Sequence, residues 1–255
     1  MITRRPRAAL LAASLLFLTG CGGGAMATPG HPSGGDTTGA STPAAVPIPT
    51  PTSRARAESA PLQLSGLGPK TLAEIPADAR QAVIVTGKDQ NSPLSTLVLY
   101  ERTATGWQAG ASWPAHNALR GWTDHHTAGD LRSPIGVYGL TDAGGLLGDP
   151  GSKLPYHRSY SFTSPGTGFE GESLAGAFDY VVAINYNRKP GTSPLDWTRP
   201  LGSERGGGIW IHVDHGGPTH GCVSIEEKHM KELLRALDPE LHPVIVMGDA
   251  TSLAR

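Results

Sequence analysis

The residues best suited to chemistry lie in one short segment, GGIWIHVDHGGPTHGCVSI, at positions 207–225. Cys222 follows a glycine- and proline-rich turn in this segment, and a cysteine thiolate is a strong nucleophile. His212, His215 and His220 precede it, and an imidazole within hydrogen-bond reach of a thiol can take up its proton. The segment therefore predicts covalent acyl transfer through a cysteine intermediate.

Among the three histidines, His212 is the predicted base, because it ends a short apolar run that reads as a buried strand with a fixed direction. His215 lies in the turn and is predicted to be solvated. His220 lies two residues before Cys222 and is predicted to line the acceptor side. Gly221 would let a substrate backbone approach closely, and backbone N–H groups near Cys222 could form an oxyanion hole.

A helix is predicted directly after the nucleophile, over 225–237. Apolar residues recur there at helical spacing, Ser224 stands where an N-cap would stand, and Glu227 lies three residues further on. The N-terminus of a helix carries a partial positive charge, which lowers the pKa of a nearby thiol. The sequence thus predicts that this helix activates Cys222.

Most other segments of the globular part are short runs of β-branched and aromatic residues bounded by turns. They are 82–86, 95–102, 107–112, 136–140, 180–186, 208–213 and 244–247, and a further short helix is predicted over 69–75. Strands without regular helical crossovers favour an antiparallel or mixed β-sandwich. The predicted fold class is therefore mainly β, with one firm helix, in a single domain over 61–255.

The first 60 residues have a different character. Three arginines precede an apolar stretch, 8–18, that is too short to span a bilayer as a free helix. The sequence LTGC, ending at Cys21, then resembles the lipobox of bacterial lipoproteins. It predicts a signal peptide over 1–20 and a lipid on Cys21, the alternative being an ordinary secretory signal. Residues 21–60, rich in Gly, Pro, Thr and Ser, are predicted to form a disordered tether.

Charge and cysteine content restrict the partners and the compartment. The formal net charge is -1, and lysines and arginines do not cluster beyond the first seven residues, so no nucleic-acid partner is expected. Lipid on Cys21 would leave Cys222, the other of two cysteines, without a disulfide partner, which favours chemical use of its thiol. We therefore expect a lipid-anchored membrane protein on the extracytoplasmic face, reaching into the cell wall.

Two further interpretations of the histidine- and cysteine-containing segment stay open. The three histidines and Cys222 could bind zinc, although their spacing matches no standard zinc signature. Alternatively, Cys222 is an inert, buried residue with structural histidines around it. Acyl transfer by a thiol needs no metal or cofactor, and none is expected. His125 and His126 are predicted to be surface loop residues.

The segment resembles the L,D-transpeptidase catalytic domain, also called the YkuD or ErfK/YbiS/YcfS/YnhG family. That family has a histidine at a strand end and then Ser/Thr-x-Gly-Cys-Val/Ile, here His212 and the run THGCV at 219–223. The stretches GDLRSPIGVY at 129–138 and PVIVMG at 243–248 also agree, and the resemblance covers about 81–248.

The sequence departs from the family pattern at three points. Ser224 replaces a frequent Arg or Asn, Val213 replaces a frequent Gly or Ser, and the gap between His212 and Cys222 is shorter than in many members. These departures leave the group that orients the base unassigned and make the substrate preference an open question.

The resemblance implies an L,D-transpeptidase-like β-sandwich that acts on peptidoglycan stem peptides. Cys222 would attack the third residue of a tetrapeptide stem, release D-alanine and form a thioester, which an amine of a second stem converts into a 3→3 cross-link. His212 would be the base, and acylation of Cys222 by carbapenems is expected. Weaker assignments to substrate binding or the oxyanion site are His220, Gly221, Thr219 and Tyr156.

Other functions remain compatible with the same residues. With water as acceptor the enzyme would be an L,D-carboxypeptidase, and with a protein as acceptor it would be a protein-to-peptidoglycan ligase. A lipoprotein that binds wall peptides or a metal without turnover is the alternative from another class.

Overall fold

The computed structural model of the protein describes residues 63–255. The predicted signal peptide, the lipidation site at Cys21 and the tether lie outside the described residues, and these three remain predictions. Over 63–255, no helix is both long enough and apolar enough to cross a membrane.

Residues 63–255 form short helices and a set of strands, most of them short. In chain order they are α1 (Pro69–Glu74), β1 (Gln81–Gly87), β2 (Leu94–Thr103), β3 (Gly106–His116), β4 (Trp122–Thr123), β5 (Ser133–Pro134), β6 (Gly136–Gly145), β7 (Tyr156–Arg158), β8 (Val181–Ile184), β9 (Trp210–Val213), β10 (Val223–Ile225), α2 (Glu227–Ala236), β11 (Val244–Asp249) and α3 (Ala250–Leu253). The prediction of a mainly β fold is confirmed.

Nine of these strands form one mixed sheet in the order β11-β1-β2-β3-β10-β9-β8-β6-β7. The first half of β6 pairs with β11, with Gly136 opposite Met247, and the second half pairs with β8, with Gly144 opposite Val181. Because β6 pairs with β8 and also with β11, the first strand of the order, the sheet closes on itself as a barrel, and β7 extends it beyond β6. Strands β4 and β5 form a separate short pair.

Helix α2 covers part of the core with one apolar face. Met230, Leu233 and Leu234 are fully buried, as their spacing of three and four residues predicts. Each such side chain contributes roughly 1.5–3 kcal/mol by leaving water. The helix packs near β9, the strand that carries His212.

The start of α2 corrects one sequence prediction. Ser224 is not an N-cap, because it lies inside β10 and pairs with His212 of β9 and His116 of β3. The helix begins at Glu227, and the Glu226 side chain makes no capping hydrogen bond. Strand pairing on two sides outweighs the local capping signal. Cys222 is therefore separated from the helix N-terminus by a strand.

A buried ion pair holds the start of the long loop between β8 and β9. The Arg188 guanidinium donates to Asp142 Oδ2 at 2.8 Å, and both side chains are nearly inaccessible to solvent. The Gly191 N–H donates to the same carboxylate oxygen at 3.0 Å, and Arg188 also donates to the Thr192 carbonyl at 2.7 Å. These bonds fix the loop that goes on to form one wall of the site.

Candidate active site

Cys222 and His212 are brought together by the parallel pairing of β9 and β10. Val223 lies opposite Ile211, and Ser224 lies opposite His212. Side chains alternate between the two faces of a sheet, and residues in register share a face. If this register is extended by one residue, Cys222 lies opposite Trp210, which is two residues before His212 on β9. The Cys222 side chain is therefore on the same face of the sheet as His212.

The thiol of Cys222 is held by backbone groups. The Trp210 N–H donates to Sγ at 3.4 Å, and the thiol donates to the Gly208 carbonyl at 3.7 Å. Although the residue borders a cavity, its sulfur is largely desolvated, and burial raises the pKa of Cys222 to about 11. The prediction that a helix N-terminus lowers this pKa is wrong, because β10 intervenes between the thiol and α2.

The backbone of Cys222 is anchored through its carbonyl oxygen. The Thr219 hydroxyl donates to it at 2.7 Å, and the Ser133 hydroxyl donates at 3.3 Å. Thr219 itself is buried, and its N–H donates to the Asn117 carbonyl. Thr219 therefore positions the nucleophile's backbone, which corrects its assignment to substrate contact.

His212 is buried at the end of β9 with one ring nitrogen committed. Its Nδ1 lies 2.9 Å from the carbonyl oxygen of Val213, and the ring packs edge-on against Phe178. With Nδ1 as the donor, Nε2 carries the free lone pair that a base needs. The backbone of Val213 is thus the orienting group that the sequence left unassigned.

The charge state of His212 follows from its burial. Desolvation lowers the pKa of His212 to about 4, and the hydrogen bond to Val213 only partly offsets that effect. The ring is consequently neutral at pH 7, as a proton acceptor must be. Among the described residues, the hydrogen-bond partners of Cys222 Sγ are Trp210 and Gly208, and the His212 ring is not one of them.

Ser224, on the same face, belongs to a polar network beside His212. Its hydroxyl donates to Asp214 Oδ1 at 2.7 Å, and His116 Nδ1 lies 2.8 Å from the same oxygen. Burial acts to raise the pKa of Asp214, but the bonds from His116 and Ser224 outweigh it and hold that pKa below its usual value. The Asp214 bond in turn raises the pKa of His116.

The other two histidines of the segment have different surroundings. The side chain of His215 is only 5% exposed, and its Nδ1 lies 3.1 Å from Glu172 Oε1, which corrects the prediction of a solvated residue. Its ring stacks on that of His212 at 5.8 Å. His220 is exposed and packs against Phe169.

An open cavity of about 450 Å³ borders Cys222. Three of the predicted site residues line it, namely Cys222, Gly221 and His220. Sequence reasoning missed most of the remaining lining, which comprises His126, Ala128, Gly129, Leu131, Trp197, Arg199, Ser203 and 206–209.

His126 is buried at this cavity, which corrects the prediction that it lies on the surface; its neighbour His125 is exposed as predicted. His126 Nδ1 lies 3.0 Å from Asp130 Oδ1, at an angle that makes no hydrogen bond. Desolvation lowers the pKa of His126 despite this carboxylate. The sequence did carry a signal for this arrangement, because His126 lies four residues before Asp130 of the GDLRSP stretch.

Two glycines of the cavity wall have steric roles. A Cβ on Gly221 would lie 2.9 Å from the Ile209 side chain, so Gly221 allows the nucleophile's loop to pack against the end of β9. Gly207 has a φ of 141°, and a Cβ there would lie 2.3 Å from Arg199 Nε. Because Gly207 has no side chain, the Arg199 side chain can pack directly against the Gly207 backbone in the cavity wall.

Tyr156 and the indole of Trp210 lie away from the cavity that Cys222 borders. Tyr156 borders a separate cavity with Asp142 and Thr192, and its hydroxyl donates to the Leu147 carbonyl, which corrects its assignment to the nucleophile's groove. Trp210 lines a neighbouring cavity on the other side of Gly207 and Gly208. Its contribution to Cys222 is the backbone N–H.

A metal site is not formed by these groups. Over residues 63–255, no cluster of three or more His, Cys, Asp or Glu side chains has the arrangement that could hold a metal ion. The zinc interpretation therefore has no ligand set in this part of the protein.

The closed β sheet, with a cysteine at a cavity and a histidine on the adjacent strand, has the layout of a cysteine-dependent acyltransferase domain. In comparison with known families, residues 79–246 match the L,D-transpeptidase catalytic domain, YkuD. This match covers more than half of the chain, and the protein belongs to that family, which acts on peptidoglycan peptides.

No curated protein matches the chain. Among solved structures, that of Bdellovibrio bacteriovorus Bd1075 is similar, with 19% identity and a TM-score of 0.37, over 72% of this chain and 51% of that one. The chain thus spans about half the length of Bd1075, and this distant similarity carries no argument about activity.

The depressed pKa of His212 generates a prediction about acid stability. The folded pKa of about 4 lies below the ordinary value of 6.5, so stability is fully present above 6.5 and is lost as the pH falls toward 4. When the pH falls from 7.5 to 5, the contribution of His212 should lower the free energy of unfolding by about 2 kcal/mol. Urea unfolding of residues 61–255 at both pH values should give this loss, and His212→Asn, which keeps a donor for Val213, should remove it. An identical pH dependence in both proteins would contradict the burial of a neutral His212.

Proposed function

We propose that this protein is a peptidoglycan L,D-transpeptidase that forms 3→3 cross-links through a thioester on Cys222. The observation that carries the proposal is the cavity bordered by Cys222, beside the strand that holds a neutral, oriented His212. Membership of the L,D-transpeptidase family supplies the substrate class.

The reaction begins with a neutral thiol and a neutral imidazole. A thiol with a pKa of about 11 is protonated at pH 7, so sulfur attack on the donor carbonyl requires simultaneous proton removal. His212 Nε2 takes that proton and returns it to the departing amine of D-alanine. The C–N bond breaks, and the third residue of the stem is left as a thioester on Cys222.

The second half of the reaction restores the thiol. The side-chain amine of a second stem attacks the thioester carbonyl, a new amide bond forms, and the C–S bond breaks. His212 removes a proton from the attacking amine, and the sulfur leaves as the thiol. The backbone N–H groups of Gly221 and Cys222, next to the cavity, are proposed to stabilise the oxyanion of both tetrahedral intermediates.

Variants of the two central residues test this assignment. Cys222→Ala should abolish release of D-alanine with the fold retained, because the proposed thioester cannot form without the sulfur. His212→Asn should lower the rate by about 10²–10⁴-fold, the usual contribution of a general base. His242→Asn is a matched control, since His242 is exposed, pairs with Asp78, and has a φ of 47° that asparagine tolerates. D-alanine release from a disaccharide-tetrapeptide, followed by chromatography, measures all three.

Several outcomes would redirect the proposal. Full activity of Cys222→Ala would show that Cys222 is not the nucleophile. An unaltered rate in His212→Asn would move the base role to His126 or His220, which border the cavity. Tripeptide products without dimers identify a carboxypeptidase, and a carbapenem adduct absent from Cys222 by intact mass favours a non-catalytic wall-binding protein.

We also propose that the protein is anchored by lipid on Cys21 and acts on the extracytoplasmic side of the membrane. The wall substrate and the lipobox-like LTGC sequence support this location. Cys21→Ser should shift the protein from the membrane pellet to the soluble fraction, and Cys222→Ser, the matched control, should stay in the pellet. Equal sedimentation of both variants would contradict the lipid anchor.

A further inference from the structure

The cavity at Cys222 contains one permanent charge, the guanidinium of Arg199. Its other lining residues are apolar, small, hydroxyl-bearing or imidazole-bearing, and none of them is an aspartate or a glutamate. A cavity with a single fixed cation and no fixed anion favours an anionic ligand.

Arg199 has no carboxylate partner among residues 63–255. Its Nη1 donates to the backbone carbonyls of Asp196 and Thr198, both at 3.1 Å, which leaves Nη2 and Nε without a hydrogen-bond partner there. The Asp196 carboxylate instead accepts from the Thr198 N–H at 2.8 Å. Arg199 lies between this cavity and the neighbouring one that Trp210 lines. A partly buried guanidinium with a free edge is suited to bidentate binding of a carboxylate.

The position of Arg199 is fixed from both sides. The indole of Trp197 lies under the guanidinium at 4.9 Å, and the side chain lies on the backbone of Gly207 where a Cβ would not fit. Burial lowers the pKa of Arg199 from its usual value, and the charge of Asp196 only partly offsets this effect. Arg199 is thus a partly desolvated cation that makes no ion pair among residues 63–255, and a bound carboxylate would supply one.

The distance from Arg199 to the nucleophile is short enough for one peptide residue to span. Nη2 lies 3.5 Å from the Cβ position of Gly208, whose carbonyl lies 3.7 Å from Cys222 Sγ, so Nη2 is within roughly 10 Å of the sulfur. An attacked carbonyl lies about 3–3.5 Å from its nucleophile, one residue spans about 3.5 Å, and a hydrogen bond adds about 2.9 Å. These lengths add up to about 9–10 Å, so a carboxylate one residue beyond the scissile carbonyl can reach Arg199.

We propose that Arg199 binds the free α-carboxylate of the residue that leaves the acyl donor. This inference rests on the proposed acyl transfer at Cys222 and deepens it. It makes the donor a peptide that ends one residue after the bond that breaks, so a stem amidated at its C-terminus is a poor donor. Trp197, 80% exposed at the rim, supplies a flat surface beside that terminus.

Equilibrium binding tests the inference without turnover. Calorimetry with the full-length Cys222→Ala protein compares a tetrapeptide stem that ends in D-alanine acid with the same peptide ending in D-alanine amide. The acid should bind roughly 10- to 100-fold more tightly, because a charge-assisted bidentate pair is lost in the amide. Arg199→Gln in the same background should bind both peptides equally, and Arg199→Lys should keep a reduced preference.

Arg102→Gln provides a matched control variant. Arg102 also lies over a tryptophan, Trp107, and donates to a backbone carbonyl, that of Ala77, but it does not border this cavity. Its replacement should leave the acid-to-amide ratio unchanged.

The inference is overturned if acid and amide bind equally to Cys222→Ala, if the acid does not bind at millimolar concentration, or if Arg199→Gln keeps the preference. A preference governed instead by the side-chain carboxylate of the third residue also overturns it. Turnover by the unsubstituted protein separates the two proposals. Equal release from acid and amide leaves the transpeptidase in place and removes the role of Arg199. Binding that depends on Arg199, without release of D-alanine or its amide, keeps the role of Arg199 and removes the transpeptidase activity.

Discussion

The parallel pairing of β9 with β10 is the constraint on which the site depends. It sets His212 opposite Ser224 and directs the Trp210 N–H to the sulfur of Cys222. Both strands are inner strands of a closed sheet, so neither can shift without breaking pairs with β8 or β3. A one-residue slip would turn His212 to the opposite face and separate it from the thiol.

Burial gives this site its chemical character. Desolvation favours the neutral form of both reacting groups, raising the pKa of Cys222 to about 11 and lowering that of His212 to about 4. The resting state is then a neutral thiol and a neutral imidazole on one face of the sheet, and not a thiolate and an imidazolium. The proposed reaction creates charge at the reacting atoms only as the substrate arrives, when the backbone N–H groups can interact with the oxyanion.

Local patterns in the sequence predicted only part of this arrangement. The strand that ends at His212 and the apolar face of α2 were predictable, because residue periodicity reflects the face that a core covers. The prediction of Ser224 as an N-cap was wrong because a capping pattern is local. The pairing of β10 with β3 and β9 depends on residues distant in the chain. Burial of His126 and the free guanidinium of Arg199 depend on how two long loops meet around the cavity, which no short-range pattern records.

The central claim is that Cys222 rests as a neutral thiol, and its rate of alkylation against pH tests this most directly. In residues 61–255, Cys222 is the only cysteine, so iodoacetamide uptake followed by intact mass reports this thiol alone. We expect slow reaction at pH 7 and a rate that still rises about tenfold per pH unit between pH 8 and pH 10, as for a thiol with a pKa of about 11. A rate that is already constant from pH 6 to pH 8 would reveal a preformed thiolate and contradict the account.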